Sequence, residues 1–185
     1  MRIIIPLLLT AILAAGCTGD QGARTVPRRT AYPRPELPDT VMAAAPGAPL
    51  HFLVNTAATA ASEKDGWLNI SYPTLGATVF VTFTPTTPAE AAGIKANRME
   101  RLMLNSGDRP SEHTEFITAH GFSALMVRTD GISTPVQFIA TDDSAWVVSG
   151  AVYFNDPNAA EATDSIRPMA EAIAGDVFRA LKELQ

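Results

Sequence analysis

The stretch Thr134–Asn155 (TPVQFIATDDSAWVVSGAVYFN) holds two period-2 runs on either side of a polar Asp142-Asp143-Ser144 step. In the first run Val136, Phe138 and Ala140 share one face, and Gln137, Ile139 and Thr141 the other. In the second, Trp146, Val148, Gly150, Val152 and Phe154 alternate with Val147, Ser149, Ala151 and Tyr153. Alternation of β-branched and aromatic residues about a polar turn predicts a hairpin. Its second arm is apolar on both faces, which places it centrally in a sheet covered on both sides.

The flanking chain supplies elements to build around it. Leu50–Thr56 reads as a short strand and Ala57–Asp65 as a loop of small and polar residues. Trp67–Tyr72 alternates cleanly, Pro73 stops it, and Thr78–Thr84 answers it, so the pair predicts a second hairpin. In Thr78–Thr84, Phe80 lies among threonines, opposite Val79, Val81 and Phe83. Thr87-Pro88-Ala89-Glu90 announces a helix to about Leu104, with Thr87 as cap and Glu90 completing a capping box. Its apolar stripe is Ala91, Ile94, Met99, Leu102 and Met103. Glu115–His120 and Phe122–Arg128 predict a third hairpin around Gly121, and Asp130-Gly131 turns into the central one. A last helix from about Asp164 to Leu184 carries the stripe Ile166, Met169, Ile173, Val177, Leu181 and Leu184. Strands joined mostly by hairpins, with two helices, predict an α+β domain over 50–185: a mainly antiparallel sheet with both helices packed on it.

Upstream, the chain reads as an export signal over residues 1–16. Arg2 precedes Ile3–Ala15, which is apolar apart from Pro6 and Thr10. As a helix that run spans about 20 Å, short of the roughly 30 Å of a bilayer core, so it fits a signal peptide better than a transmembrane span. It ends Leu13-Ala14-Ala15-Gly16-Cys17, which resembles a bacterial lipobox, and Cys17 is the only cysteine. Small residues let the backbone enter the processing enzymes, and the thiolate takes the lipid. Cys17 is therefore the expected lipidation site, carrying diacylglycerol and palmitate. Two or more acyl chains make a stable membrane anchor.

Residues 17–49 then read as a tether. Six prolines, at 27, 33, 35, 38, 46 and 49, fix φ and remove donors. Tyr32-Pro33-Arg34-Pro35 sets an aromatic beside arginine and proline and suits a contact motif, so Tyr32 and Arg34, with Trp67 and Trp146, are the candidate partner contacts. Arg24, Arg28, Arg29 and Arg34 cluster where anionic headgroups would lie. The net charge of −5 argues against nucleic acid as a partner.

Chemistry is harder to find. His51, His113 and His120 come without an HExxH or cysteine cluster, and metal ligation needs such spacing. Asp142 and Asp143 are adjacent in a turn, where acidic residues are common. Ser123, Ser144 and Ser149 lack a nucleophile-elbow context. No catalytic residue, cofactor or metal is expected, and the chain is not expected to be an enzyme.

An ordered series of short matches resembles the gliding-motility lipoprotein GldD family. It comprises the lipobox, Tyr32-Pro33-Arg34-Pro35 with Leu37-Pro38, Trp67 to Pro73, and Ala77-Thr78. It continues with Pro135-Val136-Gln137-Phe138, Thr141-Asp142, Gly150 to Asn155, Pro157-Asn158 and Asp176-Val177. Two departures stand out: the proline-arginine segment lacks the aromatics expected after it, and residues 97–131 match poorly. Thr18 and Gly19 follow Cys17 with no acidic run to direct transport to the cell surface, which predicts a periplasm-facing domain at the outer membrane. The resemblance implies a lipoprotein that assembles or stabilises the gliding and type 9 secretion machinery. Its implied partners are the membrane and other envelope proteins of that machinery. The layout is also similar to the α/β/α sandwich of PsbP and Mog1-like proteins. Thr40, Ser144 and Ser165, each after an aspartate, resemble acceptors for O-glycosylation in gliding bacteria. The alternative reading is a periplasmic small-ligand-binding module or hydrolase, with a pocket around His113, His120 and Trp146.

Overall fold

A computed structural model describes residues 36, 38–156, 158 and 161–185. Cys17, Tyr32 and Arg34 lie outside them. Two short strands, β1 (Met42–Ala44) and β2 (Leu53–Asn55), pair with each other. The main sheet holds β3 (Thr59–Lys64), β4 (Trp67–Tyr72), β5 (Ala77–Pro85), β6 (Ser111–Ile117), β7 (Ser123–Thr129), β8 (Val136–Thr141) and β9 (Trp146–Phe154). Helix α1 (Pro88–Ser106) joins β5 to β6, and helix α2 (Thr163–Lys182) follows β9. The strand order is β3-β4-β5-β9-β8-β7-β6, and every pairing is antiparallel. This is the α+β domain that the hairpin pattern predicts.

The β8–β9 hairpin takes its predicted place. β9 lies mid-sheet between β5 and β8. Its turn is built by Asp142, whose Oδ1 accepts from the amides of Ser144, Ala145 and Trp146 at 2.8–3.0 Å. Asp143 sits at φ +56°, a left-handed position that aspartate tolerates better than most residues. Across the hairpin, Gly150 stands opposite Phe138. A Cβ there would meet the Phe138 ring at 2.3 Å and the Phe80 carbonyl oxygen at 2.6 Å, so the glycine makes the room the aromatic ring fills.

The helices lie on opposite faces, as adjacent residues of β8 show. Phe138 and Ala140 belong to the larger core, with Ile173, Ala174, Val177 and Leu181 of α2 and Leu184 just past its end. Ile139 belongs to a smaller core, with Leu102 of α1 and Leu125, Val127 and Val147. The result is three layers, with the sheet in the middle. A chain of polar contacts fixes the end of α1 on its face. Asn105 donates to Gln137 at 2.9 Å, Gln137 and Thr129 donate to Ser106 at 3.4 Å each, and Ser106 donates to the Leu102 carbonyl at 3.1 Å.

Several local expectations are corrected. Ala57–Asp65 is no loop: residues 59–64 form edge strand β3, which is mostly exposed and so leaves no apolar signal. Gly66, at φ +76° where a Cβ would meet the Phe83 carbonyl oxygen at 2.5 Å, turns the chain into β4. Part of the expected tether is strand β1, where Met42 and Ala45 pack on the larger core. Thr87 does not accept from an amide; its hydroxyl donates to Glu90 at 2.8 Å. Met103 lies largely exposed outside the α1 stripe. Strand β6 runs Ser111–Ile117, beginning and ending earlier than the expected Glu115–His120.

Candidate functional site

Because α1 packs chiefly on β8 and β9, the same face of the sheet over β3, β4 and much of β5 has no covering element among the described residues. Three aromatics emerge there. Trp67 on β4 is 48% exposed, Phe80 on β5 43% and Tyr153 on β9 41%. Trp67 stands opposite Thr82, Phe80 opposite Asn69 and Ala151, and Tyr153 opposite Thr78. Each ring is thus the diagonal neighbour of the next, a spacing of about 7–8 Å between α-carbons that aromatic side chains bridge. Phe80 and Tyr153 meet edge to face with centroids 5.5 Å apart. Lys64 lies over the Trp67 ring at 4.2 Å.

Between this stripe and α1 runs a shallow cleft of about 220 Å³. Its α1 wall presents Arg98, Arg101 and Asn105, and its floor Thr82, Gln137 and Ser149. No carboxylate lines it. Neither arginine belongs to an ion pair among the described residues, whereas Lys95, Arg128, Arg167 and Arg179 all do.

Two further concavities have other characters. One of about 440 Å³ lies on the far flank of α1, lined by Met99, Leu125 and Ile139 and bordered by Lys95. Lys95 is paired with Asp143 at 3.4 Å. The other, of about 570 Å³, is polar, and its arginines Arg128 and Arg167 are paired with Glu112 and Asp130.

On the opposite side of the sheet lies a buried polar knot. Asp176 of α2 is 4% exposed. Its Oδ2 accepts from Tyr72 Oη at 3.0 Å and Asn55 Nδ2 at 2.9 Å, and its Oδ1 from Arg179 Nη2. Asn55 Nδ2 also donates to the Asp39 carbonyl at 2.6 Å. Burial, then the neighbouring Asp176 carboxylate and its hydrogen bond, push the Tyr72 phenol upward, and Arg179 offsets this in part. Both Asp176 oxygens are satisfied, while Arg179 Nε is buried without a partner and the rest of that side chain reaches the surface. A carboxylate held by three donors suits locking rather than chemistry. It ties β2, β4 and α2 to the backbone just before β1.

The residues that the sequence marks as candidates are dispersed. Trp67 lies on the open face, but Trp146 is half-buried on the opposite one, packed against the larger core. His113 is exposed on the α1 side of β6, and His120 is exposed in the β6–β7 turn. His113 and Trp146 are therefore on opposite faces, and no shared pocket joins them. Thr40 and Ser144 are exposed. Ser165 is half-buried, its hydroxyl donating to the Ala162 carbonyl at 2.8 Å. Among the described residues no group of three histidine, cysteine or acidic side chains is placed to hold a metal, and no helix is long and apolar enough to cross a membrane. Phe80 and Tyr153 were not singled out as contacts from sequence. Phe80 carries a signal in the alternation, as an aromatic among the threonines of β5; Tyr153 carries none, because β9 is apolar on both faces. Arg98 and Arg101 left no signal, because what sets them apart is their place in the cleft; Lys64, Arg109 and Lys182 likewise belong to no ion pair among the described residues.

No curated protein matches the chain. A family model does, that of the gliding motility lipoprotein GldD, over residues 22–185. That span takes in every described element, and the chain belongs to the gliding-motility lipoprotein GldD family.

Proposed function

We propose that this protein is a non-enzymatic component that assembles or stabilises the envelope machinery for gliding and type 9 secretion. Membership of the GldD family carries the reading, since it makes the chain a gliding-motility lipoprotein of the cell envelope. Residues 1–16 direct export, Cys17 takes the acyl chains, and the folded domain faces the periplasm from the outer membrane. The surface supports a role by contact: its exposed aromatics sit on a flat sheet face, and arginine, tryptophan and tyrosine are the residue types that dominate protein interfaces. Deleting the gene tests this. The expected outcome is loss of colony spreading together with loss of secreted type 9 cargo from the medium. A deletion strain that spreads and secretes like its parent would refute the reading.

A further inference from the structure

The open sheet face and the cleft beside α1 make one continuous surface, and its chemistry specifies an occupant. A chain of net charge −5 here presents two arginines without ion-pair partners among the described residues, in a cleft with no carboxylate. An unpaired guanidinium offers a planar fork of donors that fits a carboxylate in two-point contact. Beside the arginines lies the aromatic diagonal Tyr153–Phe80–Trp67, roughly 15 Å long from two diagonal steps. That is the length of four or five residues of extended peptide at about 3.3 Å each.

We propose that this surface docks an acidic segment of a protein partner, with its apolar side chains on the aromatic diagonal and its carboxylates on Arg98 and Arg101. The inference rests on the assembly role proposed above and names the face and the partner chemistry for it. A protein fits better than a membrane, because headgroup binding calls for a broad basic surface and this one has three cations, Arg98, Arg101 and Lys64, along a wide aromatic strip. The arginines set charge selectivity and encounter rate, and the aromatics supply the desolvated contact.

The test uses the full-length lipoprotein expressed in its own deletion strain. Arg98→Glu/Arg101→Glu and Phe80→Ser/Tyr153→Ser are compared with wild type, each checked for equal membrane abundance and protease resistance. All four positions are at the surface, so folding should survive. Both double variants are expected to lose spreading. In a second arm, a photo-reactive phenylalanine analogue replaces Phe80, or Ile117 as control, which is 75% exposed at the far flank of the same sheet face. Cross-links from the Phe80 position should map by mass spectrometry to a segment rich in aspartate and glutamate. Their yield should exceed that at Ile117, and fall with Arg98→Glu/Arg101→Glu, by about tenfold, the change produced by losing roughly 1.4 kcal/mol of binding.

Wild-type spreading by both double variants in a strain where deletion abolishes it would overturn the surface and leave the assembly role standing. No effect of the deletion itself would overturn the assembly role. Cross-links to lipid, to glycan, to a second copy of this chain, or to a neutral or basic segment would each overturn the proposed partner chemistry.

Discussion

At residue scale the fold depends on a few positions with no freedom to change. Gly150 is one, because a methyl group there would be driven into the Phe138 ring and a backbone carbonyl at once. The ring is buried and the carbonyl belongs to the central ladder, so neither can move aside cheaply. Gly150→Ala should destabilise the protein by about 1–3 kcal/mol, read as a lower midpoint of denaturant unfolding. An unchanged midpoint would contradict this packing. Tyr72 is another. Burial and the Asp176 carboxylate raise its pKa above the value of about 10 for an unfolded tyrosine. The folded state therefore holds this proton more tightly than the unfolded one. The contribution is complete below about pH 10 and is lost as pH rises beyond it. Wild type should lose stability more steeply above about pH 10 than Tyr72→Phe, although the variant is weaker at neutral pH through loss of a buried hydrogen bond. Parallel pH profiles for the two would count against the assignment. Asp142 runs the other way: slight burial raises its pKa, but the amides of Trp146, Ser144 and Ala145 outweigh it and hold it below the ordinary aspartate value. Its share of stability is present above the unfolded aspartate pKa of about 3.9 and fades as pH falls below it.

At the scale of elements, the sheet half that α1 leaves open follows from how that helix is held. Leu102 is its main apolar anchor, on Leu125, Val127, Ile139 and Val147, and the Asn105–Gln137–Ser106–Thr129 contacts fix its end. Leu102→Ala should cost about 2–5 kcal/mol and raise amide exchange in α1 more than in α2. Equal exchange in both helices would show that α1 is not a separately anchored layer. The same comparison explains what the sequence disclosed. β4 was legible to the residue, because Leu68, Ile70 and Tyr72 are buried while Trp67, Asn69 and Ser71 are not. The α2 stripe was legible because Ile166, Ile173, Val177, Leu181 and Leu184 all reach the core. β3 was not, because an edge strand paired on one side and exposed on both faces needs no apolar alternation. Nor was β1, three residues held by pairing to β2. The Tyr72–Asp176 bond joins residues 104 apart, and pattern within a strand or helix carries no information over that distance. The open face was half legible: alternation put Phe80 on the polar side of β5, but not which faces the two helices would cover. Trp67 and Trp146 therefore looked equivalent and lie on opposite sides of the sheet.

At the scale of the whole molecule, the knot around Asp176 gives the domain a firm grip on the chain just ahead of β1. Asn55 joins Asp176 to the Asp39 carbonyl, and β1 continues the hold through its pairing with β2. A pull on the chain ahead of β1 would thus be met by β2, β4 and α2 together. Asp176→Ala leaves the buried Tyr72 hydroxyl without its acceptor, at about 1–3 kcal/mol, and strips Asn55 of one of its two acceptors. It should lower stability and expose residues 38–44 to protease before the rest of the domain; simultaneous cleavage throughout would deny them a separate attachment. The account as a whole holds that an acylated Cys17 keeps this domain at the membrane, where it works by touching its neighbours. The direct measurement is colony spreading of a deletion strain that carries Cys17→Ala on a cleavable secretory leader, at wild-type abundance. The account predicts that this exported but unanchored protein leaves the strain non-spreading. Full restoration of spreading would contradict it.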